Sequence, residues 1–344
     1  MTRYLLIVIL IFSAIVVVNS QIPEPPTTLP LTQPINYGLY HWNTQKRDLL
    51  AATRAKELKA RSVRVYLGYH AEFSYGIEPP WVDGQTDYLL SIAQTAEFRA
   101  LFSDPDFDTF MLTLMTHEQF VKSREGDWGS LDLGTIFWEY YNLANFLTIN
   151  FPNKLFILSN WEGDWLLAFN ESQAVEFEAM FAAVLSGINA VISSNVVACI
   201  EFVHIEGRVI EMAERLGYSL ISYSAWATTI PIESDPVMLE SGLNAAIDRI
   251  HVRTHNKYLG AGLIIGEIGK FKTNVLDEYR FMQPVDRVLR KWRVVRVYYW
   301  QLFEDGSHSQ SAIGLDGYLS PIGAMLRFFN SPKKPIVFPT PKRY

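Results

Sequence analysis

KLFILSN (154–160) and NVVACIEFV (195–203) are short, largely apolar runs separated by a long amphipathic segment, residues 172–193. Strand, helix and strand in that order make one parallel βα unit, because parallel neighbours need a crossover of about a dozen residues or more. The runs are mostly unbroken rather than alternating, as strands covered on both faces require. The same pattern extends outward. Upstream lie INYGLY (35–40), SVRVYLG (62–68) and TFMLTLMT (109–116); downstream lie YSLISYS (218–224), AGLIIGEI (261–268) and VVRVYYW (294–300). Further helical patterns fall at 45–60, with Ala51, Ala55 and Leu58 on one face, and at 236–256 and 276–292. Eight such units predict an α/β fold, a single closed (β/α)8 TIM barrel over residues 35–330. An open doubly wound sheet is the rival arrangement.

Composition narrows the partners. A formal net charge of −6 gives no broad basic field for a phosphate backbone, so nucleic acid is not expected. A single cysteine, Cys199, excludes an intramolecular disulfide and Cys-based zinc sites, and its place in VVACIEF reads as a small core residue. Residues 1–20 read as a signal peptide, with Arg3 before the apolar stretch Tyr4 to Val18 and a cut before Gln21. The alternative is an uncleaved signal anchor; after cleavage no stable membrane association is expected. Residues 21–34 hold five prolines and read as a stiff extended linker, and 331–344 as a Pro/Lys-rich tail. Asn170-Glu171-Ser172 is a glycosylation sequon.

In a (β/α)8 barrel the reacting groups sit at the C-terminal strand ends and in the loops that follow. Here those ends carry carboxylates and large rings. Glu162 follows the fourth strand, and Glu267, flanked by Ile264, Ile265, Gly266 and Ile268, ends the seventh. Strands four and seven lie on opposite sides of the barrel, so the two carboxyl groups can face each other across its mouth. Breaking a glycosidic bond needs one acid to protonate the leaving oxygen and a second carboxylate to attack the anomeric carbon or position water. Arg64, inside the second strand, can partner a buried Glu267. A purely structural Arg64–Glu267 ion pair is the plain alternative. Trp161, Trp165, Trp226 and Trp300 stand at strand ends, where indoles either fill the barrel top or stack on the C–H faces of sugar rings.

Taken together, Arg64 in SVRVYLG, Asn160 and Glu162 in LFILSNWEGDW, Tyr223 in ISYSAW, Glu267 in IIGEIG and Trp300 in VYYWQLFEDG resemble the clan A superfamily of retaining glycoside hydrolases. GLDGYLSPIGAML, with its proline-led last helix, resembles the ending of such barrels. The resemblance implies that Glu267 is the nucleophile and Glu162 the acid/base. It also implies that Asn160 binds the sugar 2-hydroxyl, Tyr223 contacts the nucleophile and Trp300 floors the subsite. Trp161, Trp226, Arg64 and Glu304 complete the expected substrate-binding set. The family places Asn and Glu consecutively after strand four, whereas here Trp161 separates them, leaving Asp164 and Glu206 as alternative acids.

Other motifs are weak. His251 and His255 have helix-face spacing but no third ligand, and read as a solvated face. Gly260, Gly262 and Gly266 precede or lie within a strand and make no dinucleotide loop. No cofactor and no metal is expected. The expected activity is retaining hydrolysis of a β-linked oligo- or polysaccharide by a secreted protein. A non-catalytic carbohydrate-binding barrel and an extracellular interaction protein are the alternatives.

Overall fold

In the computed structural model eight strands pair in chain order into one closed parallel barrel. They are β1 (Asn36–His41), β2 (Ser62–Gly68), β3 (Thr109–Met115), β4 (Leu155–Ser159), β5 (Val196–Phe202), β6 (Leu220–Ser224), β7 (Leu263–Ile268) and β8 (Arg296–Trp300). The structure describes residues 35–331 except 43–47, 70, 79–86, 165–170, 194, 230–234, 259, 270–274, 301, 303–311 and 314–319. The signal and linker segments, 1–34, and the tail from 332 lie outside the described residues. β8 pairs with β1, Asn36 opposite Arg296 and Tyr40 opposite Trp300, so the sheet closes and the open-sheet rival is excluded.

The outer helices start where local chemistry starts them. Asp235 accepts hydrogen bonds from the Val237 and Met238 amides and precedes Pro236, the first residue of helix Pro236–Arg253. Ser320 caps the proline-led helix Pro321–Phe329 in the same way. Asp132 opens Leu133–Asn150, and helix Ala174–Asn189 packs beside it. The 45–60 pattern resolves differently from the expected amphipathic α-helix. Leu49–Leu58 is a 3₁₀ helix that buries Leu49, Ala52, Ala55 and Leu58, every third residue, as a three-residue turn dictates.

Alternation along the strands sorts the interior. Met111, Ile157, Cys199, Ile264 and Tyr298 fill the lower barrel as a separate apolar cluster. Their outward-facing neighbours, among them Leu112, Leu158, Ile200 and Ile265, pack against the helices. One step nearer the mouth the interior turns polar. Arg64, Thr113, Glu201 and Ser222 are all fully buried there.

β7 departs from strict alternation, and the candidate site depends on that departure. Tyr223 faces Ile265 but Ser224 faces Glu267, and on the other edge Ile265 faces Val297 while Ile268 faces Tyr299. One extra residue is thus accommodated in β7, a bulge that turns Glu267 inward where regular pleating would turn it toward the helices. Gly266 occupies the bulge. A Cβ there would collide with Ser222 Oγ and Glu201 Oε1 and lie 3.1 Å from Arg64 Nη1. Gly266→Ala should therefore destabilise the fold by about 1–3 kcal/mol, the usual cost of overpacking, read from urea unfolding midpoints. A wild-type midpoint for the variant would show that the bulge has room to spare.

Candidate active site

Arg64 organises the upper barrel. Its Nε donates to Thr113 Oγ1 at 2.8 Å, and Nη1 and Nη2 donate to the two oxygens of Glu201, each at 2.7 Å. Nη1 also donates to the Gly266 carbonyl at 2.9 Å and lies 3.3 Å from Glu267 Oε1. The guanidinium carbon sits 4.3 Å from the centre of the Tyr40 ring. Burial works against the Arg64 charge, but Glu201, Tyr40 and Glu267 together hold its pKa above the ordinary value.

Glu267 Oε2 accepts from the Trp226 indole N–H at 3.0 Å. Among the described residues nothing donates a well-formed hydrogen bond to Oε1. Burial pushes the Glu267 carboxyl well above the usual carboxylate range; Arg64 and Trp226 oppose the shift, while Glu201 and Glu162 add to it.

Glu162 enters from the end of β4. Its backbone is left-handed, φ 24°, and its amide donates to Glu201 Oε2 at 3.3 Å. Its side chain accepts from Ser224 Oγ at 2.7 Å. Ser224 is directly opposite Glu267 in the β6–β7 register, so one residue of β6 bonds the first carboxyl group and is strand partner to the residue that carries the second. Burial pushes Glu162 up to about 7; the Glu201 charge adds to this, Ser224 and Arg64 oppose it, and Asp164 contributes slightly.

The sequence-derived set is thus partly gathered. Arg64, Glu162, Glu267 and Trp226 meet at the barrel mouth. Trp300 lies over β1, its ring 4.8 Å from Tyr40 and 5.8 Å from Trp42, edge-on to both. Asn160 is adjacent but already engaged: its Oδ1 accepts from the Glu201 amide at 2.9 Å and its Nδ2 donates to the Glu201 carbonyl at 3.2 Å. It therefore cross-links β4 to β5 rather than presenting a free amide. Trp161 is half-buried beside it. Tyr223 is not brought to Glu267. Ser222 and Ser224 take the inward positions of β6, so Tyr223 points outward, stacked on Phe202 with ring centres 5.5 Å apart and hydrogen-bonded to Thr228. Glu304, Trp165 and Asn170 lie outside the described residues.

The alternative acids are placed elsewhere. Asp164 accepts from the Val203 and His204 amides at 2.6 and 2.9 Å, tying down the turn after β5. Glu206 is exposed and ion-paired with Arg249 and Arg253. His251 corrects the solvated-face expectation: it is buried against Trp292, 4.9 Å between ring centres, while His255 is exposed beside Glu214. Among the described residues no cluster suits a metal ion.

Sequence reasoning missed Glu201 and Ser222, and it gave no role to Ser224, Trp42 and Tyr66, which stand at strand ends. Trp42 and Tyr66 stack at 6.2 Å and extend the ring wall beside Trp300. Glu201 had one sequence signal, an acid inside an unbroken apolar strand, which demands a buried cation elsewhere in the chain.

No family model matches the chain, and no curated protein sequence matches it. Solved structures do resemble it. ZgEngAGH5_4, solved with a cellotriose, superposes with a TM-score of 0.60 at 9% identity, over 88% of this chain and 96% of that one. XEG5A, a GH5 xyloglucan-specific endo-β-1,4-glucanase from a metagenomic library, gives 0.58 at 10% identity over 87% and 97%. The chain has the fold of these glycoside hydrolases. The exo-β-1,4-mannosidase Op5Man5 from Opitutaceae bacterium strain TAV5 gives 0.59 at 10% identity, covering 90% of this chain and 62% of that enzyme. Of the FMN-binding β-glucuronidase from Facaelibacterium prausnitzii the chain spans only 45%, with a TM-score of 0.54 at 12% identity.

The raised pKa of Glu162 has a stability consequence. A carboxyl moved from 4.5 to about 7 by folding binds its proton more tightly in the folded state. Its contribution is complete below pH 4.5, is lost as pH rises to about 7, and is flat above that. Glu139, which accepts from the Leu89 amide, is also pushed up to about 7 by burial and titrates in the same window. The readout is therefore the difference between wild type and Glu162→Gln. Between those pH values the variant's unfolding free energy should fall less steeply, by up to about 1.4 kcal/mol per pH unit. Equal slopes would mean that Glu162 is ionised throughout.

Proposed function

We propose that the protein is a secreted, retaining glycoside hydrolase acting on a β-linked oligo- or polysaccharide, with Glu267 as nucleophile and Glu162 as acid/base. The observation that carries this reading is that Glu267 and Glu162 both attach to one buried pair, Arg64 with Glu201, in unlike surroundings. Glu267 has the Arg64 guanidinium and the Trp226 indole N–H beside it; among the described residues Glu162 has the Ser224 hydroxyl as its one direct side-chain partner. That asymmetry suits their roles. Glu162, with a pKa near 7, keeps a proton to donate to the leaving oxygen at neutral pH. Burial favours the protonated form of Glu267 as well, so it must lose its proton before it attacks. Positive charge developing on the anomeric carbon favours its carboxylate form in the transition state, with Arg64 and Trp226 as fixed partners. After the glycosyl-enzyme forms, the Glu162 carboxylate takes a proton from the attacking water.

The half-buried rings of Trp42, Trp226 and Trp300 support a sugar substrate, because pyranose C–H faces stack on indoles while hydroxyls meet the carboxylates between them. The cellotriose bound by ZgEngAGH5_4 and XEG5A supports a β-linked chain of neutral sugars as the first substrate to try. A non-catalytic carbohydrate-binding barrel is the second reading. It is favoured by the engagement of Asn160 with the β5 backbone, which leaves the sugar 2-hydroxyl without that amide.

Removing either carboxylate separates the two readings. Glu267→Gln should abolish turnover of every glycoside, whatever its leaving group. Glu162→Gln should slow natural glycosides by about 10²–10⁴-fold. A nitrophenyl glycoside needs little proton donation, so it should still form the intermediate, and azide should restore its breakdown. If wild type and both variants bind cello-oligosaccharides equally by calorimetry and none turns over an aryl glycoside, the binding barrel is correct.

Secretion has its own test. The mature chain recovered from the medium should begin at or near Gln21 by N-terminal sequencing, whereas an intact Met1 in a membrane fraction would identify the segment as an anchor.

A further inference from the structure

Glu201 has no place in the two-carboxylate scheme, yet it touches both halves of it. Oε1 accepts from Arg64 Nη1 at 2.7 Å and from Ser222 Oγ at 3.0 Å. Oε2 accepts from Arg64 Nη2 at 2.7 Å and from the Glu162 amide at 3.3 Å. The Glu201 backbone is itself fixed by both polar atoms of the Asn160 side chain. We infer that Glu201 is a positioning residue that joins the two carboxyl groups into one unit. It holds the Arg64 guanidinium against Glu267, holds the Glu162 backbone in its left-handed turn, and by its charge keeps a proton on Glu162.

The geometry supplies the reason. A fork-to-fork pair is the strongest and most directional contact a guanidinium makes, so Arg64 is committed to Glu201 and reaches Glu267 with one corner only, at 3.3 Å. One cation thereby serves two carboxylates. A third, Glu162, hangs from Glu201 through its amide. In a dry site such a cluster holds a proton at pH values where a solvated glutamate has lost it. Among the described residues the groups facing Glu162 and Glu267 are few. Arg64 comes from β2, Glu201 from β5, Tyr40 from β1, and Asp164 from the turn after Glu162 itself; the Cys199 thiol lies below, toward Glu201 and Arg64. β3 and β6 contribute only the neutral hydroxyls of Thr113, Ser222 and Ser224. Glu201 is the anion that contacts both Arg64 and the Glu162 backbone.

The kinetic half of this inference rests on the glycosidase reading; the proton half does not. The experiment therefore has two arms on the full-length protein and its Glu201→Gln and Glu201→Asp variants. In the first, ¹³C NMR of carboxyl-labelled glutamate follows the titration of Glu162, its resonance assigned by its loss in Glu162→Gln. Glu201→Gln removes the charge and keeps an acceptor oxygen, so the Glu162 midpoint should drop by about one pH unit or more. Glu201→Asp keeps the charge and should leave the midpoint within a few tenths of a unit of wild type. In the second arm, with an aryl glycoside, the alkaline limb of kcat/KM should move down by the same interval in Glu201→Gln. Glu201→Asp, too short to span Arg64 and the Glu162 amide, should lose kcat by about tenfold or more with KM nearly unchanged.

A shifted midpoint without turnover in any protein upholds the proton role and ends the glycosidase reading. An unshifted midpoint in folded Glu201→Gln, with an active wild type, overturns the inference and leaves that reading intact. Should Glu201→Gln lose its fold by circular dichroism, Glu201→Asp decides alone. A wild-type kcat overturns the positioning role, and a loss confined to kcat, at an unchanged midpoint, upholds it.

Discussion

The upper barrel is built around one buried guanidinium. Arg64 is completely inaccessible, and its donors reach β3 through Thr113, β5 through Glu201 and β7 through the Gly266 carbonyl. A charge so placed is tolerable only when its fork is filled with good geometry, since an uncompensated buried ion costs several kcal/mol. Glu201 fills it in bidentate fashion, and this pair fixes the level at which the barrel interior changes from apolar to polar. Below it, Met111, Ile157, Cys199, Ile264 and Tyr298 pack as an ordinary core. Above it the carboxylates and rings of the mouth are arranged.

Two backbone irregularities follow from that demand. Bringing Nη1 to the Gly266 carbonyl and Glu267 to the same guanidinium requires β7 to accept one extra residue, and only a residue without a side chain fits where Ser222 and Glu201 already stand. Bringing Glu162 over the pair requires a left-handed residue at the end of β4, uncommon for a glutamate and held by the bond from its amide to Glu201. Irregular backbone of this kind persists where surrounding contacts over-determine it. The neutral hydroxyls of Ser222 and Ser224 complete the set by supplying donors where the described residues offer no further cation.

The barrel was legible because its signal is local and repeated. Buried parallel strands must be continuous apolar runs, and each of the eight runs named from the sequence overlaps an observed strand. Glu267 and Glu162 were legible as polar residues at apolar strand ends. Tyr223 was read wrongly because a resemblance gives a residue type and a strand, whereas the pleat decides which face it occupies. With Ser222 and Ser224 inside, Tyr223 must lie outside. Glu201 was overlooked because its run, VVACIEF, looks like core. That it pairs with Arg64, 137 positions away, is a fact of closure and not of spacing.

The amino-acid sequence by itself determined the architecture and the residue types at the mouth. Period, run length, turn residues and capping groups are properties of neighbours along the chain, and eight repeats of them leave few other folds. Only the tertiary structure decided which carboxylates meet and what each one feels. The inward turn of Glu267 depends on a bulge that accommodates a single glycine. The environment of Glu162 depends on burial and on charges carried by β2 and β5. Those are sums over residues distant in sequence, and they take a value only when the barrel closes and excludes water from the space between them.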